Sequence, residues 1–270
     1  MTAPIDTPFP LPNGVRERFE RDGWARLSGV FTPGELAPFA RGITDATLRL
    51  NDQTKPLEER STYDRAFLQV MNLWRADGAA RAFVFGRRLA KIAADLLGVR
   101  GVRLYHDQAL YKEPSGGLTP AHADQFYWPL ATDRTVTAWV PLQKTPMTMG
   151  PLGFYTGSQD FDQDRDLPIS DESEAEITAS IEAEGYPFEV APFALGDVSF
   201  HRGWTFHKAG SNRTDRPRSV MTVIYMDADM VLKAPENPMQ ENDHASWCPG
   251  AKVGAVIDTP LNPVLYERAG

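Results

Sequence analysis

One cysteine, Cys248, stands alone in 270 residues, so no intrachain disulfide can form. A reducing setting such as the cytoplasm is expected. Long apolar runs are missing too: nothing approaches the roughly 18 residues a membrane helix needs. The opening M-T-A-P-I-D-T-P-F-P-L-P has neither the basic start nor the apolar stretch of a secretory leader. No membrane partner is expected. Positive charge is in deficit, with 28 Lys and Arg against 36 Asp and Glu and a formal net charge of −8. Such a surface repels polyanions, which sets nucleic acid aside as a partner. Internal repeats and a recognisable linker are also absent, so the chain is expected to form a single unit over residues 1–270. Hydrophobic residues make up 42% of it, enough to fill a sizeable core and to exclude disorder.

Hydrophobic periodicity divides the chain. Residues 1–100 read as a mainly helical flank. Val15 and Phe19 sit four apart in a helix over Pro12 to Asp22, and a short strand follows at Trp24 to Leu27. Thr32 then reads as an N-cap, with Pro33 at the first helical position and Glu35 at the third. A further helix is predicted from Gly78 to Leu97, with Ala82, Phe85, Leu89, Ile92 and Leu96 on one stripe and Gly98 as its stop. Residues 101–230 change character. V-R-L-Y-H-D-Q-A-L-Y, V-T-A-W-V-P-L, F-E-V-A-P-F-A-L, D-V-S-F and S-V-M-T-V-I-Y-M read as strands separated by Gly and Pro turns. An acidic helical insert falls within 158–185, capped by Asp171 and Glu174 and ending at Gly185. Residues 231–270 form a C-terminal extension. Helices first and strands later predict an α+β fold with a mainly β core, a sandwich or barrel.

Within that core, three residues carry chemistry. His122 and Asp124 stand in T-P-A-H-A-D-Q-F-Y-W-P, and His207 in G-D-V-S-F-H-R-G-W-T-F-H. Two imidazoles and one carboxylate are the ligand set of the facial triad that holds non-haem iron(II). The triad occupies one face of an octahedron and leaves the other for a bidentate co-substrate and dioxygen. If the strand continues, His122, Asp124, Phe126 and Trp128 share one face. Arg218 follows His207 by eleven positions. From a returning strand its planar fork can pair with the far carboxylate of such a co-substrate.

These stretches, with Q-A-L-Y-K-E-P (Gln108 to Pro114), T-A-W-V-P-L (Thr137 to Leu142), M-G-P-L (Met149 to Leu152) and the run from Gly196 to Arg218, resemble the phytanoyl-CoA dioxygenase family of Fe(II)- and 2-oxoglutarate-dependent oxygenases. The N-terminal F-E-R-D-G-W-A-R-L-S-G-V-F resembles the opening of family members as well. The resemblance implies a double-stranded β-helix, the cupin-like jelly roll, flanked by N-terminal helices. It implies Fe(II) on His122, Asp124 and His207, O2 as oxidant, and 2-oxoglutarate chelated through its keto oxygen and C1 carboxylate, with Arg218 on C5. Gln108 is read as a hydrogen-bond donor to 2-oxoglutarate, Lys112 as a second candidate, and Trp139 matches a position that packs against it. The family's hydroxyl two places after the distal histidine is here Ala209, which puts one contact to C5 in doubt. Asp124 argues against halogenation, which needs a small residue in its place.

Phe126, Tyr127, Trp128 and Trp204 flank the ligand segments and are read as substrate-pocket residues, with core packing as the alternative. Tyr63, Phe67, Met71 and Trp74 read as core with a pocket-closing alternative. His106, His201 and His244 have no partner at ligand spacing and read as structural or surface groups. The acidic helix reads as a solvated face or a lid. The expected substrate is a small, largely apolar, polycyclic secondary metabolite of the antibiotic type, oxidised at an unactivated C–H. Cyclisation or epimerisation by the same cofactors, an acyl-CoA hydroxylase, and a zinc hydrolase or cupin-like binder remain as alternatives.

Overall fold

The computed structural model describes residues 4–167 and 170–268. The side chains of Pro4, Thr62, Tyr63 and residues 171–173 lie outside that description, and with them the expectations for Asp171 as a cap and for Tyr63. The first hundred residues hold α1 (Val15–Asp22), β1 (Trp24–Leu27), α2 (Pro33–Leu50), α3 (Thr62–Ala66), β2 (Leu68–Met71), α4 (Gly78–Val84) and α5 (Arg87–Leu97). Then come β3 (Gly101–Lys112), β4 (Thr119–His122), β5 (Thr135–Pro141), β6 (Leu152–Tyr155), α6 (Asp171–Ala183) and β7 (Phe188–Val190). The chain ends with β8 (Val198–Arg202), β9 (His207–Ala209), β10 (Arg218–Asp227), α7 (Pro238–Trp247) and β11 (Val264–Glu267).

Two antiparallel sheets form the jelly roll. The larger runs β1-β8-β5-β10-β3-β11 and the smaller β4-β9-β6-β7. β2 and β11 share the outer edge of β3: β2 pairs with Gln108 to Tyr111, and β11 with Gly101 to Arg103. β1 extends the opposite edge by pairing with β8. Both ends of the larger sheet are thus closed by strands from outside the 101–230 core.

Alternation along the larger sheet sorts its side chains into two layers. Val136, Ala138, Val198, Phe200, Met221, Val223 and Tyr225 face α2, α4 and α5 and join the main apolar core. His106, Gln108, Thr137, Trp139, His201, Arg218, Thr222 and Ile224 face the smaller sheet across a cavity. Every residue of β10 is buried.

Local chemistry sets the helices. Thr32 caps α2 in a full capping box with Glu35. Glu35 also pairs with the buried Arg88 of α5, Nη2 to Oε1 at 2.8 Å, and Arg88 Nη1 donates to the Val30 carbonyl. The hydrogen bond from Arg88 is the main cause that holds the Glu35 carboxyl down at about 2.

Several expectations change. The helix expected over Gly78 to Leu97 is two helices, because Gly86 turns to an extended conformation (φ −60°, ψ 124°). A Cβ there would stand 2.7 Å from Ile5 Cδ1, so the break lets the N-terminal segment pack in close. The break resets the stripe: Ala82 is exposed, whereas Leu89, Ile92 and Leu96 are buried. Of F-E-V-A-P-F-A-L only Phe188–Val190 pairs as a strand, ahead of Pro192. The strand carrying His122 ends there, and Asp124–Tyr127 forms a 3-10 turn. The acidic helix α6 buries Ile177 and Ile181 against Ala121, Tyr155 and Phe206, and none of its described side chains lines the cavity. It is therefore docked on the smaller sheet by its isoleucine face, while Glu176 and Glu182 keep the opposite face exposed to solvent. Glu174 ties it down by accepting from the Ala121 amide and from Lys208 Nζ.

Removing the Glu35 carboxylate takes away the reciprocal half of the capping box, its bond from the Thr32 amide, and leaves Arg88 without its counter-charge. Glu35→Ala is expected to cost about 2 kcal/mol in urea unfolding. Because Glu35 is depressed in the folded state, its contribution is present above the ordinary carboxylate pKa and lost as pH falls towards about 2. The variant should show a shallower loss of stability over that acid window.

Candidate metal centre

His122 and His207 are opposite partners in the β4–β9 pairing, with ring centroids 4.3 Å apart. His122 Nδ1 donates to the Pro120 carbonyl at 2.7 Å, and His207 Nδ1 to the Thr205 carbonyl at 2.9 Å. These bonds hold both rings in the tautomer whose Nε2 lone pair faces inward, the arrangement in which a metal-binding imidazole is oriented by its outer partner. Burial pushes both imidazoles down to about 4, so they are neutral at physiological pH. Asp124 arrives from the 3-10 turn. Its Oδ1 lies 3.6 Å from His122 Nε2 and 3.7 Å from His207 Nε2. The three ligand atoms fall within 4.8 Å of one another, the one such cluster among the described residues.

The other carboxylate oxygen is held separately. Asp124 Oδ2 accepts from His201 Nε2 at 3.2 Å and from Thr137 Oγ1 at 3.1 Å. Burial opposes ionisation of Asp124, but His207, the bond from His201 and the His122 ring more than offset it, and the carboxyl sits well below the usual carboxylate range. One oxygen is thus spent on orientation and the other is left for a cation. His201 is the residue that sequence spacing missed. It stands on β8, whose V-S-F-H alternation puts it on the same face as Ser199, but its partner Asp124 is 77 residues away.

Two neutral imidazoles and one fixed carboxylate match a divalent iron. They open onto a cavity of about 500 Å³. Arg218 lies on its wall, 2% exposed. One of its nitrogens, Nη1, donates to the Gly150 carbonyl at 2.6 Å, and the guanidinium sits 5.5 Å from the centroid of the Trp139 ring. Its Nε has no hydrogen-bond partner, and no described carboxylate pairs with it. Burial lowers Arg218 to about 10, so it stays charged at neutral pH. A buried guanidinium with a spare donor facing a cavity is a site for an anion.

Gln108 and Trp139 line the same cavity, and Gln108 Oε1 accepts from Gln69 Nε2. Lys112 does not. It is fully buried beside Arg218, and its Nζ meets the Gly117 and Gly210 carbonyls and Thr119 Oγ1. With three oxygens on its donors it braces the 113–119 loop rather than reaching a co-substrate. Tyr127 and Trp128 line the cavity, whereas Phe126 and Trp204 stay off it. The turn after Ala123 breaks the alternation that would have aimed Phe126 inward. Trp204 packs beneath the Arg165 guanidinium, 4.6 Å from its ring centroid. Phe67 and Met71 line the cavity from the β2 side, while Trp74 packs against Phe85 and Arg81. The far wall comes from α7, through Met239, Asn242, Asp243 and Trp247, for which the sequence offered no signal beyond an unassigned extension.

His122→Ala is expected to abolish Fe(II) binding in an anaerobic titration of the metal-free protein. His201→Ala should keep the site but weaken Fe(II) about 10- to 100-fold, because Asp124 loses its outer support. Equal affinity in His201→Ala and the unaltered protein would remove that role.

Comparison with known proteins agrees with this geometry. A family model described as phytanoyl-CoA dioxygenase matches residues 19–220. A phytanoyl-CoA dioxygenase domain-containing protein 1 homolog from Caenorhabditis briggsae is 20% identical over 85% of this chain and 96% of its own length. Among solved structures, the non-haem α-ketoglutarate-dependent carbocyclase SnoK of nogalamycin biosynthesis superposes with a TM-score of 0.77 at 22% identity, covering 94% of this chain and 96% of that one. The epimerase SnoN of the same biosynthesis gives 0.74 at 25% identity, covering 93% and 97%. SnoN in complex with Fe3+, α-ketoglutarate and nogalamycin RO gives 0.75 at 24% identity, over 93% of this chain and 97% of that one. With well over half of its length matched by the family model and the His-Asp-His cluster in place, the chain belongs to the phytanoyl-CoA dioxygenase family and is a non-haem iron(II)- and 2-oxoglutarate-dependent oxygenase.

Proposed function

We propose that this enzyme oxidises an unactivated C–H bond of a small, largely apolar, ring-containing metabolite, with His122, Asp124 and His207 holding iron(II) and Arg218 binding the C5 carboxylate of 2-oxoglutarate. The observation that carries the reading is Arg218: a buried cation with a spare donor and no counter-charge among the described residues, lining the same cavity as the three ligands. Iron(II) with 2-oxoglutarate and dioxygen supplies a one-electron oxidant strong enough to remove hydrogen from an unactivated carbon, with succinate and carbon dioxide as co-products.

The chain's own groups prepare for that chemistry. The Pro120 and Thr205 carbonyls aim the two imidazoles, and His201 with Thr137 restrains Asp124 to one free oxygen. Trp139 closes over the guanidinium and limits its access to water. Gln108 stands between Arg218 and the triad, in register with Thr222 on β10, and is placed to donate to the co-substrate. Beyond the metal, Tyr127, Trp128, Ile224, Met239 and Trp247 form an apolar wall against which a ring system can be held still.

Within this chemistry, cyclisation or epimerisation stands as the second reading. Its support is the likeness to SnoN, an epimerase, at 25% identity. An acyl-CoA substrate fits less well. Its phosphates call for basic groups at the rim, and among the described residues no lysine or arginine other than the buried Arg218 lines the cavity.

Anaerobic addition of Fe(II) and 2-oxoglutarate to the metal-free protein is expected to give the weak visible charge-transfer band of the chelate. No band despite bound iron would overturn the co-substrate assignment. Arg218→Ala should raise the 2-oxoglutarate requirement for the band about 10- to 100-fold, the loss of a charge-assisted pair. Product mass separates the outcomes: a gain of one oxygen marks hydroxylation, loss of two hydrogens marks ring closure, and no change marks epimerisation.

A further inference from the structure

The cavity is electrically lopsided. Arg218 opens β10, and Ile224, six residues along that strand, faces the opposite end of the site, roughly 20 Å away at ordinary strand rise. At that end stands Asp243, contributed by α7 and 8% exposed. Its Oδ2 accepts from the Tyr105 hydroxyl at 3.0 Å, and the Trp247 side chain donates to the same carboxylate. Both donors are neutral. No lysine, arginine or histidine among the described residues forms an ion pair with Asp243, although seventeen such pairs occur elsewhere in the molecule.

A carboxylate placed in so dry a position without a counter-charge costs several kcal/mol. The two hydrogen bonds come from neutral groups, so neither supplies the positive charge that a buried carboxylate calls for. Burial accordingly raises Asp243 to about 7, which marks a group short of a positive partner. The rings around it are the second observation. Trp128, Tyr105, His106 and Trp247 contact one another in series, at centroid separations of 5.5, 5.0 and 5.1 Å. Trp128, His106 and Trp247 all line the cavity. Aromatic faces with a carboxylate among them are the combination that receives an organic cation. The helix is also fixed in place. Gln240 Nε2 donates to the Phe126 carbonyl at 3.0 Å, inside the turn that carries Asp124, so the position of Asp243 is set relative to the metal ligands.

We infer that Asp243 is a specificity-determining residue that pairs with a protonated amine on the substrate, so that the enzyme's substrates are ring systems bearing a basic nitrogen. The inference rests on the cavity being the substrate pocket of the proposed oxygenase. The amine is held at the end away from Arg218, which keeps the organic cation clear of the co-substrate's binding charge and leaves the carbon to be oxidised between the two.

The test uses three matched fluorescent probes on the full-length protein loaded anaerobically with Fe(II) and 2-oxoglutarate: 9-(dimethylaminomethyl)anthracene, 9-anthracenemethanol and 9-anthracenecarboxylic acid. The amine is expected to bind at least 10-fold more tightly than the alcohol, and the acid most weakly. Asp243→Asn should erase the amine's advantage while leaving alcohol binding as it was, with thermal stability no lower than that of the unaltered protein because a buried unpaired charge is removed. Trp247→Leu should reduce the advantage without erasing it. Equal binding of amine and alcohol, no binding of the amine, or an advantage that survives Asp243→Asn overturns the inference. The charge-transfer band is read in the same samples. Its presence in Asp243→Asn shows the metal and co-substrate site intact, so loss of amine preference is not mistaken for failure of the oxygenase reading.

Discussion

Pairing between β3 and β10 governs the rest of the molecule. It is the longest register in the structure, from Arg218 opposite Lys112 to Asp227 opposite Val102, with one irregularity at Ile224/Tyr225. Strand geometry then forces alternate side chains to opposite faces. Met221, Val223 and Tyr225 go to the helical core, and Arg218, Thr222 and Ile224 go to the cavity. A slip of one residue would turn Arg218 towards the helical core and put Pro217 or Ser219 in its place on the cavity wall. Helices on one face and the small sheet on the other hold that register from both sides.

The polar residues on the inner face are costly to bury and are compensated unevenly. Asp124 is compensated at one oxygen, which takes two donors, while the other faces the two imidazoles and is left for a cation. Lys112 is compensated by backbone carbonyls and a hydroxyl. Arg218 and Asp243 are not compensated by a described charge of the opposite sign. They sit at opposite ends of the same cavity, with the metal ligands between them. Charges that the protein leaves unpaired inside a cavity are where ligand charges fit, because the desolvation cost is already borne by the fold and is recovered on binding.

How much of this was legible in the sequence depends on separation along the chain. His122 and Asp124 lie two apart in a motif, and the motifs around His207 and Arg218 lie close together, so the ligand set and the guanidinium could be read directly. The capping box at Thr32 and Glu35 is local chemistry and was readable for the same reason. The break at Gly86 was not, because the residue packed against it, Ile5, lies some eighty positions away. Phe126 was expected inward on the assumption of a continuous strand, and a 3-10 turn after Ala123 removed that assumption. Lys112 stood on the correct strand but found its acceptors in loops brought in by the fold.

Residue types and motifs along the chain were enough for the α+β class, the His-Asp-His set and the family, because each motif is local and its resemblance does not depend on how far apart the motifs lie. Only the tertiary structure decided that His201 steadies Asp124, that α6 docks on the smaller sheet, and that the C-terminal extension supplies Asp243 and Trp247 to the far wall of the cavity. These contacts join segments separated by some tens of residues to more than a hundred. No periodicity or motif records such a pairing, because it comes into being only when sheet register and helix docking bring the segments together.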